Sequence, residues 1–115
     1  MKKILNIVGA RPQFIKAFVT LKSLNKIKNL DNFLLHTGQH FNYEMSEIFF
    51  NELNFSKNLI KVNLDKKNSR MLRFSEMLSK VEKVVKKISP NLIIVYGDTD
   101  STLAGSLIAK RSNIK

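Results

Sequence analysis

The chain has 115 residues, 43% of them apolar, eight of them phenylalanine, and none cysteine or tryptophan. That size suits one domain, that apolar content excludes disorder, and no apolar run approaches the roughly 20 residues that cross a bilayer. Without cysteine there is neither a disulfide framework nor a thiolate metal site, and the net charge of +11 comes largely from sixteen dispersed lysines rather than from a basic cluster. The composition fits a cytoplasmic protein with a lysine-rich solvated exterior and no dedicated nucleic-acid surface.

In chain order, Ile4–Val8 is a short apolar run that ends at Gly9-Ala10-Arg11-Pro12, with Pro12 suited to the first turn of a helix. The interruption at Asn6 and the stop at Gly9 make this run a first strand and not a signal peptide. Phe14, Ile15, Phe18, Val19, Leu21 and Leu24 recur at helical spacing and predict a helix to about Ile27. Phe33-Leu34-Leu35 predicts a second strand, ending at His36-Thr37-Gly38-Gln39-His40. Tyr43, Met45, Ile48, Phe49 and Leu53 predict a second helix, and the alternating Ile60–Leu64 a third, less buried strand. A long helix follows from Met71 to Ile88, stopped by Pro90. Leu92–Val95 is apolar throughout and predicts a strand covered on both faces. Gly97-Asp98-Thr99-Asp100-Ser101 then leads into a last helix through Leu103, Leu107 and Ile108.

Strands alternating with helices predict an α/β fold: a Rossmann-like parallel sheet with helices on both faces. Such sheets bind ligands beyond the carboxyl ends of their strands, at helix amino termini. The chemically distinctive residues fall there: Gly9, Arg11 and Lys16 after the first strand, Gln39 and His40 after the second, and Gly97, Asp98, Thr99 and Ser101 after the fourth. The first turn carries neither GxGxxG nor GxxxxGK[ST], which excludes those phosphate cradles there. Arg11 is either a phosphate ligand at a helix start or a surface arginine. His36 and His40 have i, i+4 spacing, but Gly38 breaks the helix that a zinc site would need, so His36 reads as a packed histidine and His40 as the one able to meet a ligand. Asp98 and Asp100 together resemble the manganese-binding Asp-x-Asp of nucleotide-sugar glycosyltransferases. Against that, Asp100 or Ser101 is expected as the N-cap of the following helix. Asp98 is left as acid, base or substrate anchor, or as a turn residue bonding nearby backbone.

Three segments in register carry a family resemblance: Gly9-Ala10-Arg11-Pro12-Gln13-Phe14-Ile15-Lys16, His36-Thr37-Gly38-Gln39-His40-Phe41-Asn42-Tyr43-Glu44-Met45-Ser46, and Val95-Tyr96-Gly97-Asp98-Thr99-Asp100-Ser101-Thr102-Leu103-Ala104-Gly105. Over essentially its whole length the chain resembles the amino-terminal part of the non-hydrolysing UDP-N-acetylglucosamine 2-epimerases, including the relatives that act on UDP-2,3-diacetamido-glucuronate. The least typical stretch is 58–70, where relatives often carry a Gly- and Ser-rich segment.

The resemblance implies a two-domain GT-B-type fold with the UDP-sugar between two Rossmann-like lobes. It implies inversion at C2 by elimination of UDP to a glycal and re-addition, without NAD and without a metal, in the supply of surface-polysaccharide precursors. It also implies roles: Asp98 catalytic, Arg11 on the UDP phosphates, Lys16 in the same motif, and Gln39 and His40 in the sugar-nucleotide loop. Residues 1–115 are then expected to be an incomplete N-terminal lobe stopped before a fifth strand, with the C-terminal UDP-binding lobe absent, inactive alone, and homo-oligomeric. The readings set beside this are a non-catalytic, self-associating α/β module and a metal-dependent glycosyltransferase.

Overall fold

A computed structural model describes residues 1–9, 11–38 and 58–115. Its elements are β1 (Lys2–Val8), α1 (Arg11–Leu24), β2 (Leu30–His36), β3 (Leu59–Lys61), α2 (Arg70–Ile88), β4 (Leu92–Val95) and α3 (Asp100–Arg111). The helix expected over Tyr43–Leu53 lies outside the described residues.

The four strands form one parallel sheet in the order β3-β2-β1-β4. β1 pairs with β2 from Lys2↔Leu30 to Val8↔His36, and with β4 from Ile4↔Leu92 to Ile7↔Val95. Alternation along β1 sends Leu5 and Ile7 to one face and Val8 to the other. The first face packs on α2 and α3 through Met77, Val81, Val85, Ile88, Ala104 and Ile108, and the second on α1 through Ala17 and Leu21. Helices therefore cover both faces, as the alternating pattern predicts.

Local sequence explains the ends of α2. Ser69 stands at its N-cap and accepts a hydrogen bond from the Leu72 N–H at 3.3 Å. Ser89 closes the helix in the left-handed region, φ 53°, with its N–H on the Val85 carbonyl, and Pro90 follows. Lys86 and Lys87 lie in the last turn, where cations complement the helix dipole.

Three boundaries differ from the sequence reading. α1 stops at Leu24, not Ile27, because the next residues close tighter turns, with Ile27 N–H on the Leu24 carbonyl. β3 is only Leu59–Lys61, although Val62 N–H still reaches the His36 carbonyl. β4 is not covered throughout: Ile93 is buried while Leu92, Ile94 and Val95 are half-buried, since β4 is an edge strand of the described sheet. On its outer side Ile93 N–H donates to the Lys115 carbonyl at 2.7 Å, so the chain returns to this edge after α3.

A polar chain runs through the sheet on the α1 side. Asn6, fully buried in β1, accepts from the Tyr96 hydroxyl (2.8 Å) and donates to Asn32 Oδ1 (2.7 Å) and the Phe33 carbonyl (3.1 Å). Each amide and hydroxyl group in it has a partner, which is what makes a buried asparagine tolerable in a central strand.

Candidate functional site

The carboxyl ends of β1, β2 and β4 lie side by side by register, and two polar stitches, with one further local contact, hold the segments that leave them. Gly9 follows β1. A Cβ there would stand 1.9 Å from Ser101 Oγ and 2.6 Å from Thr37 Oγ1, so only glycine lets these segments approach. The hydroxyls of Thr37, after β2, and Ser101, in the first turn of α3, are hydrogen-bonded at 2.8 Å and fully buried.

Gln13 supplies the second stitch. Its Oε1 accepts from Gly9 N–H at 2.8 Å and its Nε2 donates to Thr99 Oγ1 at 2.6 Å. It is the third residue of α1, the position of a capping-box glutamine, but it reaches one residue further back than that motif does. The third contact is local: Gly38 N–H donates to His36 Nδ1 at 2.8 Å, as β2 ends.

The head of α3 differs from the sequence expectation. Thr99 occupies the N-cap, not Asp100 or Ser101, and its side chain makes no capping bond. All three side chains are drawn elsewhere: Thr99 to Gln13, Ser101 to Thr37, and Asp100 to Arg70 at the start of α2, through Oδ1 (3.2 Å) and Oδ2 (3.3 Å). The Arg70 guanidinium is held in its charged form by that carboxylate. Among the described residues no group of three or more His, Cys, Asp or Glu side chains is assembled that would hold a metal ion.

Asp98 is exposed in the loop between β4 and α3. The preceding Gly97 takes φ 78°, a left-handed conformation that bends the chain out of β4 against the Gln13 side chain. Arg11 opens α1, with its side chain outside the described residues, and Lys16 is exposed on the same helix. Gln39 and His40 lie outside the described residues. The structure therefore brings the Arg11-bearing helix start and the Asp98 loop together through Gln13, and both of them to the end of β2 through Thr37 and Ser101.

His36 is buried at the end of β2, 1% exposed. Burial pushes its pKa down to about 4, helped by the neighbouring Lys61 ammonium. It is a neutral, packed histidine at neutral pH.

Gln13 and Thr37 are the residues that reading the sequence did not single out individually. Gln13 carries a local signal, a glutamine at the third position of a helix. The Thr37–Ser101 pair carries none, because its members are 64 residues apart.

The fold has known counterparts. The family model for UDP-N-acetylglucosamine 2-epimerase matches residues 22–115. A UDP-N-acetylglucosamine 2-epimerase homolog of Methanococcus maripaludis is 42% identical over 113 residues, covering 98% of this chain and 31% of that one. The UDP-2,3-diacetamido-2,3-dideoxy-D-glucuronate 2-epimerase of Pseudomonas aeruginosa is 43% identical, covering 97% and 31%. The crystal structure of Methanocaldococcus jannaschii UDP-GlcNAc 2-epimerase in complex with UDP-GlcNAc and UDP superposes with a TM-score of 0.84 at 35% identity, covering 98% of this chain and 31% of that one. The chain thus spans about a third of the length of the proteins it matches.

Proposed function

Because the chain belongs to the UDP-N-acetylglucosamine 2-epimerase family, we propose that residues 1–115 supply the amino-terminal wall of a UDP-sugar cleft in which C2 of the sugar is inverted. The observation that carries this reading is the stitched edge, where Gln13 and the Thr37–Ser101 pair hold the segments bearing Arg11 and Asp98 against each other.

The chemistry asks for groups of this kind. Elimination of UDP requires removal of the C2 proton and stabilisation of the departing diphosphate, and re-addition reverses both. In the proposal Asp98 is the acid/base group of this wall, Arg11 and Lys16 serve the diphosphate, and Gln39 and His40 line the sugar-nucleotide loop. UDP-GlcNAc is the substrate proposed, with UDP-2,3-diacetamido-glucuronate as the alternative because a relative of nearly the same identity carries that name. The proposal places the reaction in the cytoplasm, which the cysteine-free composition fits, and among the precursors of surface polysaccharide, which comes from the resemblance to the family. No helix among the described residues is long and apolar enough to cross a membrane.

The opposite wall of the cleft is expected from a second lobe, so the chain by itself should not turn over UDP-GlcNAc. The test is a chimaera in which residues 1–115 replace the aligned residues of the methanococcal relative. Conversion of UDP-GlcNAc to UDP-ManNAc supports the reading. A folded but inactive chimaera, or full turnover by the 115 residues alone, refutes it.

Homo-oligomerisation belongs to the same proposal. Met71 and Leu72 on α2 and Leu103 and Leu107 on α3 are exposed, and Met71 and Leu103 line a hollow of about 230 Å³ with Arg70, Phe74 and Asp100. Apolar surface of this kind favours association. Sedimentation of the chain as a strict monomer at high concentration would remove this part.

A further inference from the structure

Gln13 is 3% exposed and lies between two turns, its partner Thr99 being 86 residues away in the sequence. Its amide is used at both ends. The carbonyl accepts a hydrogen bond from the Gly9 N–H and the NH2 group donates one to Thr99 Oγ1. Gly97 packs on the same amide, since a Cβ there would stand 3.2 Å from Nε2. A threonine at an N-cap ordinarily turns its hydroxyl onto the N–H groups of its own helix. Thr99 does not; its hydroxyl receives Gln13 instead. An N-cap bond is worth about 1 kcal/mol to a helix, so α3 forgoes local stabilisation where a long-range tie is made.

We propose that Gln13 is the positioning residue that sets the distance between the turn carrying Arg11 and the loop carrying Asp98, with Thr99 as its receptor. The inference rests on the proposed function for its catalytic meaning, while the tie itself is a property of this chain. Gln13 touches no reacting atom; it acts through the two turns it joins. A misplacement of about 1 Å at such a pair costs up to about 100-fold in rate, because the groups must meet substrate in one geometry.

Amide hydrogen exchange in the 115-residue chain tests the tie. Gln13→Met keeps the length of the side chain and removes both polar contacts. Thr99→Val keeps the shape of its side chain and removes the hydroxyl. Each change should accelerate exchange at its remote partner at least tenfold: Thr99→Val at the Gly9 amide, and Gln13→Met at the Leu103 amide, which opens the ladder of α3 on the Thr99 carbonyl. Amides in the middle of α2 should hold, and at the Leu103 amide the double variant should add nothing to Gln13→Met. Thr99→Ser, which keeps the hydroxyl, should leave the Gly9 amide protected. Uniform acceleration across the chain, or none at the remote partner, overturns the proposal. If Gln13→Met does not fold, Thr99→Val against Thr99→Ser decides alone.

The catalytic meaning is read in the chimaera. Gln13→Met should lower kcat at least tenfold with KM within about threefold, and Gln13→Glu, which keeps an acceptor for Gly9, should recover most of that kcat. Loss of thermal stability with kcat unchanged would reduce Gln13 to a structural residue. An inactive parent chimaera would refute the proposed function while the exchange result still decides the tie.

Discussion

The hydroxyls of Thr37 and Ser101 stand 2.8 Å apart, fully buried, at the place a Cβ on Gly9 would occupy. Gly9 is thus a point of close approach between the segments leaving β1, β2 and β4.

Gly9→Ala should therefore be severe. Overpacking in a buried site costs about 1–3 kcal/mol and more where nothing yields; with contacts of 1.9 and 2.6 Å to two buried hydroxyls, the upper end is expected. Ser101→Ala removes the nearer of the two. Gly9→Ala should then cost at least about 1 kcal/mol less in the Ser101→Ala background, as substitutions in contact are non-additive. Urea unfolding of the four proteins measures this. Equal costs in both backgrounds would refute the contact.

The order of strands and helices was legible because each announces itself over short range. Leu92–Val95 is an unbroken apolar run, and Met77, Val81, Val85 and Ile88 repeat at helical spacing up to Pro90. That the segments bearing Arg11 and Asp98 meet at one end of the sheet was legible too, since parallel sheets collect their loops there. What was not legible depends on register. Asp100 and Ser101 both look like caps, and only the neighbourhood of Arg70, Thr37 and Gln13 draws all three polar side chains at the head of α3 away from that role. Nor does the spacing of Asn6 in β1 announce that it answers Tyr96, 90 residues later.

Tyr96→Phe removes the hydroxyl that Asn6 Oδ1 accepts from, leaving a buried carbonyl short of a partner. Such a loss costs about 1–3 kcal/mol. Asn6→Ala removes the acceptor itself and opens a space beside Asn32 as well. In the Asn6→Ala background Tyr96→Phe should cost appreciably less, and denaturant unfolding with a double-mutant cycle gives the coupling. Strict additivity would show that the bond contributes nothing.

His36 makes stability depend on pH in a definite direction. Its pKa is about 4 in the folded chain against 6.5 unfolded, so below pH 6.5 the unfolded chain takes up a proton first. The stabilisation is complete above pH 6.5 and is lost as pH falls toward 4. Protonation at Nδ1 also breaks the bond from Gly38 N–H and puts a cation beside Lys61. His36→Asn keeps an acceptor for Gly38 and does not titrate. Between pH 7 and pH 5 the parent chain should lose about 2 kcal/mol more than this variant. Parallel stability curves for the two would place the acid sensitivity elsewhere.

Substitution of Asp98 tests its proposed catalytic role apart from folding. It is exposed in the β4–α3 loop, and the bend that presents it comes from Gly97 and Gln13 rather than from its own carboxylate. Asp98→Asn should therefore change stability by no more than about 0.5 kcal/mol, the range for exposed substitutions. If Asp98 exchanges a proton with the sugar, the isosteric amide removes that capacity and kcat in the chimaera should fall at least about 100-fold, the lower bound for a general acid or base. Binding of UDP-GlcNAc should persist, because the diphosphate contacts assigned to Arg11 and Lys16 do not involve it. A variant that folds, binds and turns over at near the parent rate would take Asp98 out of the reaction. One that loses stability and activity in proportion would make it a turn residue that bonds nearby backbone.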